Sequence, residues 1–319
     1  MSKGERKYLV GGALGAAVAL LVYREYRKQK RQAIARLCAG SQIANTKYGP
    51  IECALLGKGP AILFFHGGGD GYDFGQAFTW LGWGYQIVSP SRPGYLRTPI
   101  EVGRSPDEQA DAFAGLLDTL GIHSAAVVGA SAGGPPALQF ALRYPERCWG
   151  LALISAVNQP VPSFPRMMQS VLKVAPYVDF VPWLVLNSAF MWVLDFFMGS
   201  KLRSPTAGDP IKRALLDSLL RSMFPISLRL QGLVNDLTWC KNLPPIPLEN
   251  VTIPTLVIHG DSDTIVPFTH GQASAARIPG AEALLIPGGD HLCFVTHLER
   301  TRPALLDFLD RHAPEETSG

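Results

Sequence analysis

Short uncharged apolar runs punctuate this chain at residues 61–65, 125–128, 151–154 and 255–258. Runs of this length and composition suit strands buried on both faces of a parallel sheet. Residues 85–88 and 283–286 are further strand candidates, and residues 42–47 and 51–56, separated by Tyr48-Gly49-Pro50, read as a hairpin. Between the runs lie segments of helical character at residues 74–83, 105–120, 269–277 and 297–309. The second of these opens with Ser105-Pro106-Asp107-Glu108, a good capping sequence. Alternating strands and helices with short connections predict an α/β fold: a mostly parallel central sheet with helices on both faces.

Two stretches break that alternation. Residues 156–251 carry many prolines together with Trp183, Phe190, Met191, Trp192, Phe196, Phe197 and Met198, and read as a helical cap inserted into the core. The apolar part at residues 177–198 also contains Asp179, Pro182 and Asp195, which argues for a cap whose inner face lines a pocket rather than for a membrane span. The expected organisation is therefore residues 1–40 as an N-terminal segment, 41–155 and 252–312 as the core, 156–251 as the cap and 313–319 as a loose tail.

Residues 8–23 form the other exception: sixteen residues without a charge, preceded by Lys3, Arg6 and Lys7 and followed by Arg24, Arg27, Lys28, Lys30 and Arg31. The run is short of the ~20 residues that cross a bilayer, but its basic flanks and interfacial Tyr8 and Tyr23 suggest a single-pass membrane anchor. A cleaved signal peptide and a surface-lying or soluble helix are the competitors, and the dense basic segment stands where a signal peptide's small-residue cleavage site would fall. The heavier basic flank is C-terminal, so the expectation is an anchored protein whose main body stays in the cytoplasm.

Charge and cysteine content narrow the classes. Nine Lys and Arg against two Glu lie in residues 1–36, and the remainder is net acidic with 20 basic and 24 acidic residues. No nucleic-acid partner is implied for the main body. The five cysteines include no C-x-x-C pair and are odd in number, which disfavours a disulfide framework or a zinc site and favours a reducing compartment.

The candidate chemistry gathers at strand ends. After the run at residues 125–128 comes Gly129-Ala130-Ser131-Ala132-Gly133, then a helical segment with Pro135 and Pro136 in its first turn. Ser131 sits at a sharp strand-to-helix bend beside free helix N–H groups, where developing negative charge is stabilised. A serine hydroxyl needs a base, and the base needs an orienting carboxylate. Asp261 and Asp263 follow one strand, and Asp290 and His291 follow another. The carboxyl ends of parallel strands are where ligand and catalytic groups collect in open α/β sheets. The chain order Ser131, acid, His291 fits acyl-transfer chemistry; Asp261 and Asp263 would point opposite ways if the strand pattern continued. His66, His270 and His297 read as structural or packing residues, and Arg92 and Tyr95 either line the pocket mouth or brace a tight turn.

The motifs HGGGD at His66, SRPGY at Ser91, GASAG at Gly129, HGDSDTIVP at His259 and GGDH at Gly288, in that order, resemble the α/β-hydrolase superfamily. The likeness covers roughly residues 42–312. It implies Ser131 as nucleophile, His291 as general base and then acid, and Asp263, by its place in GDSDTIVP, as the orienting acid. An oxyanion hole is implied at the Ala132 N–H together with that of Gly67 or Gly68. No metal or cofactor is implied. The expected activity is that of a serine hydrolase of the esterase or lipase kind, cleaving a small apolar carboxylic ester through an acyl-enzyme. Peptidase, thioesterase, carbon–carbon bond hydrolase and perhydrolase activities are the alternatives within the superfamily; a non-catalytic ligand-binding module is the alternative outside it.

Overall fold

The computed structural model describes residues 3–161, 179–180, 183–184 and 209–314. The expected tail at residues 313–319 lies outside these from residue 315 on, as does most of the bulky apolar stretch at residues 177–198. The chain forms two compact units, Met1–Ala39 and Gly40–Gly319.

The first unit is a single helix, α1 (Lys3–Ala39), and it corrects the expectation of a membrane anchor. Among the described residues no helix is long and apolar enough to cross a membrane. The uncharged run of sixteen residues rises only ~24 Å at the helical pitch, against ~30 Å of bilayer hydrocarbon, before the helix continues into Arg24 and the basic positions after it. The single-pass topology, the membrane as partner and the cytoplasmic orientation inferred from the flanking charges fall with it.

The second unit is built on an eight-stranded sheet. Its strands are β1 (Gln42–Thr46), β2 (Gly49–Leu56), β3 (Ala61–Phe65), β4 (Gln86–Pro90), β5 (Ala125–Ala130), β6 (Cys148–Ile154), β7 (Thr255–Gly260) and β8 (Glu282–Ile286), in the spatial order β1-β2-β4-β3-β5-β6-β7-β8. The hairpin β1–β2 and its junction with β4 are antiparallel; the other pairings are parallel. The α/β architecture is as expected.

Strand alternation divides the core in two. Ile62 and Phe64 pack with Phe74, Phe78, Val128, Ile154 and Ile258 on one face, while Leu63 and Phe65 pack with Phe113, Val127, Phe140, Leu153 and Val257 on the other. Successive residues of one strand thus serve opposite layers. Helices cover both faces, including α2 (Pro106–Thr119) and α3 (Gly134–Arg143). α2 begins with a full capping box between Ser105 and Glu108.

Two of the expected helical segments carry detail that the sequence pattern does not specify. The segment Tyr72–Trp83 is a run of 3₁₀ turns, broken at Phe78 (φ −114°, ψ 22°), rather than an α-helix. Ser89 in β4 is the reason: its hydroxyl accepts from the Gly75 N–H at 3.3 Å and donates to the Tyr72 carbonyl at 2.6 Å. These bonds tie the segment's backbone to the sheet and draw it out of the regular i→i−4 ladder. The expected C-terminal helix is present as α8 (Leu298–His312), preceded across His297 by a short α7 (Cys293–Thr296). Between β6 and β7 the described residues form α4 (Pro210–Ser222) and α5 (Leu230–Lys241), and α6 (Thr269–Arg277) follows β7.

α5 and the turn before it are fastened to the core by two buried ion pairs of opposite sense. Core Arg92 meets Asp236 of α5, and Arg229, just before α5, meets core Asp73 with bonds of 3.2 and 2.9 Å. Gly94 (φ +83°) and Gly232 make the approach possible. A Cβ on Gly94 would stand 2.6 Å from the Gly232 nitrogen, whose N–H instead donates to the Gly94 carbonyl at 2.8 Å.

Candidate active site

β5 delivers Ser131 to the carboxyl edge of the sheet through a turn that only particular residues permit. Ser131 is held at φ +49°, in the left-handed region, which costs a non-glycine residue about 1–3 kcal/mol. The turn also brings strand and helix into contact. A Cβ on Gly129 would stand 2.5 Å from the Ala137 Cβ, and one on Gly133 would collide with the Phe65 carbonyl. The G-x-S-x-G spacing is therefore a steric requirement here, and it leaves the serine hydroxyl half-exposed at the tip.

The loops after β7 and β8 complete the arrangement. His291 Nε2 lies 3.1 Å from Ser131 Oγ, and His291 Nδ1 lies 2.8 Å from Asp263 Oδ2. Asp263 is 6% and His291 8% exposed. Burial alone would push the Asp263 carboxyl up; the facing His291, hydrogen bonds from both His259 and His291, and the Val266 N–H outweigh it and hold the group well below the usual carboxylate range. An ionised carboxylate only accepts hydrogen bonds, so the imidazole proton of His291 sits on Nδ1 and Nε2 is left to accept from the serine hydroxyl.

Asp263 is itself fixed from behind. Its Oδ1 accepts the N–H groups of Ile265 and Val266, both at 2.9 Å. His259 Nε2 lies 3.3 Å from Oδ2 and 3.0 Å from the Val266 carbonyl. A carbonyl can only accept, so His259 carries its proton on Nε2 and shares it with the carboxylate.

The rival residues are accounted for. Asp261 braces a turn by accepting the Gly288 N–H at 2.7 Å. Asp290, half-buried rather than exposed, accepts the Leu292 N–H at 2.9 Å. His297 pairs with Thr296 at 3.0 Å. His270 is buried and accepts the Asn158 N–H at 3.2 Å; burial, helped by His259, pushes it down to about 4. His66 Nε2 accepts the Arg92 N–H at 2.9 Å, so its Nδ1–H donates to the Gly67 carbonyl at 2.7 Å, a structural role.

Arg92 and Tyr95 do not line a pocket mouth, because both are fully buried. The Arg92 guanidinium donates to the His66 carbonyl at 2.8 Å, to the Gly67 carbonyl at 3.3 Å and to both oxygens of Asp236. Tyr95 donates to Asp236 as well. The loop bearing Gly67 and Gly68 is thus held from below, and it lies across the nucleophile. A Cβ on Gly67 would stand 3.3 Å from the Ser131 Cβ, and one on Gly68 would stand 3.9 Å from the Ala132 Cβ. Sequence reasoning missed Asp236. It sits in a segment with no strand-and-helix rhythm, and no local motif marks a lone acidic residue as the partner of an arginine 144 positions away.

Comparison with known proteins identifies the family. YcgS of Bacillus subtilis (strain 168), named as an uncharacterized hydrolase, is 30% identical over 82% of this chain and 95% of its own. A 2-hydroxy-6-oxo-6-phenylhexa-2,4-dienoate hydrolase of Burkholderia cepacia is 28% identical over 79% of this chain and 88% of its own. Among solved structures, an alpha/beta hydrolase fold protein from Nakamurella multipartita superposes with a TM-score of 0.75 at 27% identity, covering 85% of this chain and 98% of its own. With the alpha/beta hydrolase fold family matched across residues 60–298, the chain belongs to that family.

Proposed function

We propose that this protein is a serine hydrolase that breaks a bond to a carbonyl carbon by way of an acyl-enzyme, with Ser131, His291 and Asp263 as the catalytic residues. The observation that carries the reading is His291 bridging Ser131 Oγ at 3.1 Å and Asp263 Oδ2 at 2.8 Å. Ser131 Oγ adds to the carbonyl carbon as its proton passes to His291 Nε2, and the negative charge moves onto the carbonyl oxygen. The N–H groups of Ala132 and of Gly67 or Gly68 receive that oxygen. Collapse breaks the bond to the leaving group, which takes the proton back from His291, and water then repeats the cycle to release a carboxylic acid. Asp263 stays ionised throughout and keeps the imidazolium oriented.

For the bond that is cleaved, we favour the carbon–carbon bond beside a ketone over a carboxylic ester. The Burkholderia cepacia relative, matched over 79% of the chain, is named for an oxo-dienoate, and the same serine chemistry serves a carbon leaving group if its electron pair can delocalise into a neighbouring carbonyl. Ester cleavage is the second reading. In either case the apolar side chains that the described residues bring to the oxyanion loop support a hydrophobic substrate: a Cβ on Gly68 would stand 3.1 Å from Leu233, and one on Gly69 would stand 2.8 Å from Met223.

The test sets 2-hydroxy-6-oxo-6-phenylhexa-2,4-dienoate against p-nitrophenyl esters of increasing chain length, with fluorophosphonate labelling alongside. Wild type is expected to be labelled and to turn over the dienoate faster than any ester, and Ser131→Ala to do neither. Equal labelling of wild type and Ser131→Ala removes the serine mechanism, and turnover confined to the esters reverses the choice of bond.

A further inference from the structure

Asp70 closes the oxyanion loop, and neither the protein's internal bonding nor the reaction above uses it. The point where a Gly67 Cβ would stand is 3.0 Å from Asp70 Oδ2 and 3.3 Å from the Ser131 Cβ. The carboxyl oxygen and the nucleophile's side chain therefore both lie against Gly67. The residue is half-buried, and its carboxyl has no hydrogen-bond or ion-pair partner among the described residues. A half-buried carboxyl beside the nucleophile, with no partner among the described residues, is open to a hydrogen bond from a bound ligand.

From this placement we infer that Asp70 is a further substrate-contacting residue, its carboxyl hydrogen-bonding to an oxygen acceptor carried on the acyl group close to the scissile carbonyl. The inference rests on the serine-hydrolase reading above and extends it from the bond to the substrate's neighbouring atoms. The charged groups around Asp70 fit a carboxyl that keeps its proton near neutrality. Withdrawal from water is the largest influence and raises it; Arg229 lowers it, Asp73 raises it, and Arg92 and His291 lower it, leaving it pushed up to about 7. Arg229 and Arg92 have carboxylates of their own, Asp73 and Asp236, which blunts their pull on Asp70. A carboxylic acid donates one O–H bond, whereas the ionised form donates none and repels an acceptor.

Two isosteric substrates test it, p-nitrophenyl 3-methoxypropanoate and p-nitrophenyl pentanoate, which differ by an ether oxygen in place of a methylene. Their kcat/KM ratio, each normalised to its hydroxide-catalysed rate, is measured from pH 6 to 8. Wild type should favour the methoxy ester by about tenfold at pH 6, the scale of one hydrogen bond, and lose the preference as pH rises through 7. Asp70→Asn, which keeps a donor at every pH, should hold a constant preference, and Asp70→Ala should show none. A wild-type preference that Asp70→Ala leaves intact overturns the assignment, as does one indifferent to pH. Fluorophosphonate labelling of the same samples separates the two readings. Labelled wild type that hydrolyses both esters alike removes the role of Asp70 and leaves the serine mechanism standing, while wild type labelled no more than Ser131→Ala removes both.

Discussion

Arg92 and Asp236, 144 residues apart in the chain, meet through paired charge-assisted hydrogen bonds, one of them Nη1 to Oδ1 at 2.9 Å. The same guanidinium holds the carbonyls of His66 and Gly67, so an acidic residue of α5 fixes the loop that lies across Ser131. Asp236→Ala would strand a buried cation and should cost about 3–5 kcal/mol of stability. Urea unfolding should show that loss. The surviving folded fraction should also turn over more slowly than wild type, because the loop loses its clamp.

The strain at Ser131 makes stability and activity separable. Glycine adopts the left-handed backbone at φ +49° without penalty, so Ser131→Gly should abolish turnover yet raise the unfolding free energy by about 1 kcal/mol. Ser131→Ala, which keeps a Cβ, should abolish turnover without that gain. Denaturation midpoints of the two variants side by side decide the point, and equal midpoints would mean the turn is not strained.

Acid stability should register His270. Burial pushes it down to about 4, below its unfolded value of about 6.5. Its neutral form therefore contributes stability that is fully present above pH ~6.5 and is lost as pH falls toward 4, amounting to at most about 3 kcal/mol. His270→Asn should flatten this stretch of the stability curve between pH 7 and 4. An unchanged slope would place the acid sensitivity elsewhere.

The capping box of α2 offers a local check. Ser105→Ala removes the side chain that accepts the Glu108 N–H and should lower stability by about 1 kcal/mol, with kcat/KM unaffected because Ser105 takes no part in the site.

Much of this was legible in the chain itself. The apolar runs located the central strands because a strand buried on both faces needs continuous apolar residues, and Ser105-Pro106-Asp107-Glu108 marked a helix start because its chemistry is local. Ser131 and His291 stood out because each lies just beyond a recognisable strand, while Asp263 was set apart from Asp261 by the motif resemblance, and the structure brings these three side chains together. What escaped depended on distant partners. The 3₁₀ character of Tyr72–Trp83 follows from Ser89, and the burial of Arg92 follows from Asp236; neither contact leaves a mark in the neighbouring sequence. The uncharged N-terminal stretch misled for a different reason: flanking charge and aromatic residues resemble a membrane signature even where the apolar length falls short.

The way Phe64 and Phe65 face opposite layers has a consequence for any attempt to diversify this protein. A single-codon deletion within β3 or β5 would not merely shorten a strand. It would invert which side chains meet which layer and, in β5, withdraw the serine by about 3.3 Å from its imidazole while turning it toward the other face. Libraries that vary length are best confined to segments outside the strands, and those aimed at the strands should exchange side chains while preserving residue count.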